Sequence, residues 1–166
     1  MPAARTPETL APELDGALAR ASAELAGAPR IWVALSGGLD STVLLHLFAS
    51  RGKLPLSALH VNHQLYADAP LWQQHCETHC ERLGVPLQSE LGEVVVCVVG
   101  PEVAAREWRL AFFVRVIVVG DVLLLWLHED VQAETLLQRL LRGACPDVLA
   151  AMSRRRTLGR GSLLRP

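Results

Sequence analysis

Ile31–Leu35 reads IWVAL, five apolar residues without a break. The chain passes from it straight into Ser36-Gly37-Gly38-Leu39-Asp40-Ser41 and then into TVLLHLFAS. The first run has the composition of a short buried strand. The last reads as a helix over residues 42–50 that stops near Gly52. With no spacer between them, the glycines must make the turn, because they tolerate φ > 0 and close backbone approach. The helix then opens at the strand end with N–H groups that have no helical partner. Such an end suits an anion, phosphate above all, and Ser36 and Ser41 add hydroxyl donors. Asp40 would repel that anion unless a divalent cation lay between them, so the set points to phosphate carried with Mg²⁺. The lysine of GxxxxGK[ST] is missing, which excludes the common P-loop.

The rest of the chain repeats the strand-then-helix rhythm. Residues 8–27 read as a helix, with Leu10, Leu14, Ala17, Leu18, Ala21 and Leu25 at helical spacing before Gly27 and Pro29. Strands are expected at 56–61, 85–91 and 122–127, and helices at 69–83 and 131–141. Residues 94–99 have strand composition. Residues 102–117 suit a helix, although the β-branched Val114, Val116 and Ile117 weaken it. Strands alternating with helices imply a doubly wound parallel α/β sheet. The organisation expected is an N-terminal helix and lead-in over 1–30 and a nucleotide domain over 31–152. A basic linker over 153–166 would lead toward further C-terminal domains.

Composition narrows the class. With 166 residues, 51% hydrophobic and 20% charged, the chain is globular, not disordered. Residues 1–135 carry 9 Lys+Arg against 16 Asp+Glu, whereas 136–166 carry seven arginines against Asp147 alone, within a net charge of −1. A basic end on an acidic body suits a polyanionic partner or a solvated tail equally. Four cysteines make no disulfide framework. Arg115, Gly120 and Asp121 interrupt the most apolar stretch, so no membrane span is expected, and the default location is cytoplasmic.

IWVALSGGLDSTVLLHL resembles the pyrophosphate loop of the N-type ATP pyrophosphatases, the PP-loop superfamily with an adenine nucleotide alpha hydrolase-like fold. Later segments are similar to one branch, the tRNA(Ile)-lysidine synthetase family. They are His60-Val61-Asn62-His63-Gln64-Leu65, EVAAREWR with Glu102, Arg106 and Arg109, GDVLLLWLHEDVQAETLLQRLLRGA, and LGRGSLLRP. The resemblance implies ATP and Mg²⁺ as cofactors, and tRNA(Ile) and free L-lysine as partners. ATP would adenylate the 2-carbonyl of the wobble cytidine, and the lysine amine would displace AMP. By the same resemblance Ser36, Gly37, Gly38, Leu39, Asp40, Ser41 and Val61 bind ATP, and Asp40 holds the metal. Asp40, Arg106, His128 and Asp130 are catalytic, and Glu134 binds lysine. A homodimer is compatible with the sequence.

Departures from that family keep two alternatives open: another PP-loop ATP pyrophosphatase, such as a tRNA thiolase or amide ligase, or a catalytically impaired ATP-binding fragment. Val131 stands where the resemblance expects a second acid, which should weaken lysine binding by about 1.5–3 kcal/mol. Leu127 replaces a histidine, Trp126 a small residue and Leu110 an aromatic, and Gly100-Pro101 replaces a polar pair. Elsewhere, His75-Cys76 and His79-Cys80 have metal-ligand spacing. The two pairs point about 100° apart on a helix, so the cysteines are expected in the core instead. His60 and His63 are expected at the surface near the end of the second strand, and the four tryptophans as packing groups.

Overall fold

The computed structural model describes residues 7–50, 54–64, 67–92, 101–125 and 154–165. In chain order the elements are α1 (Pro7–Leu25), β1 (Ile31–Ala34), α2 (Leu39–Ala49), β2 (Leu56–Asn62), α3 (Ala69–Leu83) and β3 (Leu87–Leu91). They are followed by α4 (Pro101–Val116), β4 (Val122–Leu124), β5 (Arg155–Leu158) and β6 (Gly161–Leu164). The expected strand at 94–99, the end of the strand expected at 122–127 and the helix at 131–141 lie outside the described residues.

The six strands form one sheet in the order β3-β2-β1-β4-β6-β5. All neighbours are parallel except the β5–β6 hairpin. Side chains of β1 alternate between the faces, as strand geometry requires. Ile31 and Val33 join α1, α2 and α3 through Leu25, Leu44, Phe48 and Cys76. Trp32 and Ala34 join α4 through Phe112, Phe113 and Ile117. The sheet is thus covered on both faces, and its strands are continuous apolar runs for that reason. The β-branched residues near the end of α4 do not prevent the helix, because burial of Phe112 and Phe113 outweighs a weak local preference. No helix among the described residues is long and apolar enough to cross a membrane.

One expectation is corrected. Residues 155–164 are not a linker but two strands of the sheet. β6 pairs in parallel with β4, Val122 opposite Ser162 and Leu124 opposite Leu164, and Leu163 and Leu164 are fully buried. The arginines masked this in the sequence. Two of the five, Arg155 and Arg156, lie on β5, the outer strand, where Arg155 and Thr157 face solvent. Arg154 pairs with Glu24 at 3.0 Å, and Arg155 reaches the Glu24 carbonyl, so the hairpin is tied to α1. Nor is α1 a separate lead-in, because Leu18, Ala21 and Leu25 belong to the core.

Candidate functional site

β1 leads outward to β2 and β3 on one side, and β4 flanks it on the other. At such a reversal the connections leave in opposite directions, and a crevice opens beyond the carboxyl ends of the strands. A cleft of about 180 Å³ lies there, lined by Ser36, Ser41, Val61, His63, Arg109 and Phe113 among others. A smaller hollow of about 130 Å³ adjoins it, sharing Ser36, Val61 and His63 and walled by Trp72.

The loop over Ser36–Ser41 forms the floor of the cleft. Gly37 has φ +84°, and a Cβ there would meet Trp72 Cε3 at 3.2 Å and Cys76 Sγ at 3.3 Å, so only glycine fits. α2 begins at Leu39, three residues earlier than its sequence suggests, because Gly38 serves as its N-cap. Gly38 offers no side-chain cap, and the first helical amide to find a partner is that of Thr42, bonded to Gly38 O at 3.1 Å. The amides of Leu39, Asp40 and Ser41 therefore stand in the open first turn. Asp40 is exposed in that turn, and Leu39 is 78% exposed.

The two serines behave differently from simple phosphate donors. Ser41 is buried; its Oγ accepts from the Ser36 amide at 3.2 Å and donates to Gly38 O at 3.1 Å. Ser36 Oγ lies 3.0 Å from Ser41 Oγ and accepts from the Gly38 amide at 3.3 Å. Ser41 thus shapes the loop from within, while Ser36, exposed, forms its outer lip.

α4 brings a cation over this floor. Arg109 lines the cleft and has no carboxylate partner among the described residues. Burial first, and then Arg106, pull its guanidinium below the ordinary range. A half-buried cation with no carboxylate partner among the described residues, in one cleft with Ser36 and Ser41, favours an anion. Arg106 itself is exposed and is not among the residues that line the cleft. Arg109 and Phe113, four apart on one face of α4, both line the cleft.

Two histidines close the wall. His60 is buried, not at the surface, with Nδ1 2.8 Å from Leu35 O. His63 is half-buried. Burial first, then Arg109 and His60, lower its pKa. His63 Nδ1 and Trp108 Nε1 are buried without partners. Cys76 and Cys80 face the core as expected, and burial pushes their thiols up to about 12 and about 11. Trp72 is half exposed, a cleft wall instead of a core group.

A PP-loop domain model matches residues 10–166, nearly the whole chain. The chain belongs to the PP-loop family. It is 49% identical over 147 residues to a Pseudomonas putida protein, covering 84% of this chain and 33% of that one. With a Pseudomonas aeruginosa protein the identity is 54% over 139 residues, covering 81% and 31%. With one from Alkalilimnicola ehrlichii it is 45% over 173 residues, covering 98% and 37%. All three are named tRNA(Ile)-lysidine synthase. This PP-loop chain spans about a third of the length of those curated relatives. His128, Asp130, Val131 and Glu134 lie outside the described residues.

Hard oxygen donors at the PP-loop fit Mg²⁺ only in part. Asp40 supplies one carboxylate, and no group of three or more His, Cys, Asp or Glu side chains among the described residues is arranged to hold a metal. One carboxylate with the remaining positions filled by phosphate oxygens and water is the usual way Mg²⁺ accompanies a triphosphate.

Proposed function

We propose that this PP-loop domain binds ATP and passes its AMP moiety to the 2-carbonyl oxygen of the wobble cytidine of tRNA(Ile), for displacement by the amine of free L-lysine. The observation that carries this reading is that Ser36 and Ser41 of the loop share one cleft with Arg109, which has no carboxylate partner among the described residues. The relatives' printed name, tRNA(Ile)-lysidine synthase, supports tRNA(Ile) as the acceptor, and free L-lysine as the nucleophile is part of the proposal.

The carbonyl oxygen attacks the α-phosphorus and pyrophosphate leaves. The lysine ε-amine then attacks C2, and AMP departs with the oxygen. The amides of Leu39–Ser41 and the Arg109 guanidinium face the charge that develops on the departing pyrophosphate, at a site where it is worth most. Asp40 would hold Mg²⁺, which neutralises phosphate charge when bound. The backbone at Val61 would meet the adenine. Arg106 would reach the nucleotide from the rim, and His128 and Asp130 would border the reacting centre. Glu134 would hold the lysine ammonium, with Val131 leaving it one acceptor short. The protein would act in the cytoplasm.

The test is pyrophosphate release from ATP with tRNA(Ile) and lysine present. Release dependent on the tRNA supports the reading, and added lysine should then produce AMP and lysidine. Release that ignores the tRNA overturns it. ATP binding without any release favours instead a catalytically impaired ATP-binding module.

A further inference from the structure

His60 lies on β2 with its ring on the α2–α3 face of the sheet and is 3% exposed. A carbonyl oxygen only accepts, so the 2.8 Å contact to Leu35 O puts the hydrogen on Nδ1 and fixes the tautomer. Nε2 is then a bare acceptor, buried without a partner at the edge of the smaller hollow.

Leu35 is the residue from which the phosphate loop departs. The paired register of β1 and β2 ends at Ala34 opposite Leu59. Past it the Leu35 amide still bonds Leu59 O at 2.8 Å, and the Leu35 carbonyl is taken by the His60 side chain instead of a backbone amide. Cys76 Sγ lies 3.5 Å from the same Nδ1 and packs beneath Gly37. The imidazole and the thiol together form a floor under the start of the loop.

We infer that His60 is a positioning residue for the phosphate loop: its Nδ1–H fixes the Leu35 carbonyl and so the direction in which Ser36, Gly37 and Gly38 leave β1. This rests on the reading that the loop holds the phosphates of ATP. The ring acts through the loop, so its influence falls on the pyrophosphate portion of the nucleotide and spares the nucleoside portion.

Isothermal titration of the chain with ATP·Mg²⁺ and, separately, with AMP tests this. In His60→Asn the amide nitrogen falls near the position of Nδ1 and keeps the bond. In His60→Gln it falls near Nε2 and loses it. His60→Asn should bind ATP within about twofold of the unsubstituted chain, whereas His60→Gln should bind it roughly three- to tenfold more weakly. AMP affinity should stay within about twofold in both. Equal ATP affinity in the two variants, or ATP and AMP affinity falling together, overturns the inference. Thermal melts confirm that both variants are folded, and His60→Ala, which also lacks the donor, serves in place of His60→Gln if that variant is not. An unsubstituted chain that binds no ATP is a different result and removes the proposed function itself.

Discussion

The two ends of β4 are built to opposite rules. At the amino end, Asp121 is buried and its Oδ2 and both backbone groups are hydrogen-bonded. Its carboxylate accepts from Trp32 Nε1 at 2.9 Å and from the Val118 amide at 3.2 Å, and its carbonyl accepts from the Ser162 amide at 2.9 Å. At the carboxyl end, Arg109 has no counter-ion among the described residues, His63 Nδ1 has no partner, and the first turn of α2 is uncapped. Trp72, in the wall of the smaller hollow, and Leu39, in the first turn of α2, are large apolar side chains that stand in solvent. A buried donor or acceptor without a partner costs about 1–3 kcal/mol. The cleft end therefore carries a cost that the Asp121 end does not, and a bound anion would offset it.

That contrast can be broken by substitution. The largest effect is expected for Asp121→Ala, which orphans Trp32 Nε1 and the Val118 amide. Stability should fall by about 3 kcal/mol in urea titration, while the folded fraction keeps its ATP affinity. A parallel loss of ATP affinity would mean that the two ends are not separable. Gly161→Ala comes next. A Cβ there would lie 2.5 Å from Ile117 Cγ2 and 2.6 Å from the Asp121 carbonyl, and backbone does not yield easily. A stability loss of about 2 kcal/mol is expected, again with ATP binding intact.

At the cleft the signs reverse. Arg109→Gln should weaken ATP about tenfold in calorimetry, the value of a charged hydrogen bond, with an unchanged or higher Tm because an unpaired buried charge is removed. A lower Tm would show that Arg109 is structural. The smallest effect is a pH dependence. His63 titrates below its ordinary 6.5 in the folded chain, so the unfolded chain binds the proton more readily. Its contribution to stability is present above pH 6.5 and is lost as pH falls through the lowered pKa. His63→Gln should therefore lose less Tm than the unsubstituted chain between neutral and mildly acid pH. Identical slopes would show that the pKa of His63 is not lowered.

Much of this was legible in residue order. The loop Ser36–Ser41, the strands on either side of it and the helices at 69–83 and 102–117 follow from local pattern, because apolar runs and glycines act within a few residues of one another. The Gly37 turn was equally visible, although its reason was not. Trp72 and Cys76, 35 and 39 residues away, press on it. The hairpin at 155–164 is not legible in residue order because four-residue strands carry little pattern, and arginines on an outer strand look like a solvated tail.

By itself, the sequence determined the chemistry that the chain offers: a glycine turn opening a helix, an acid within it and arginines at spacing three. Tertiary structure alone decided which of these groups meet. It turned Arg109 into the cleft and left Arg106 outside, buried His60 beneath the loop, and spent Ser41 on holding the turn. The reason is that burial and hydrogen-bond satisfaction depend on neighbours tens of residues away, which a local pattern does not encode.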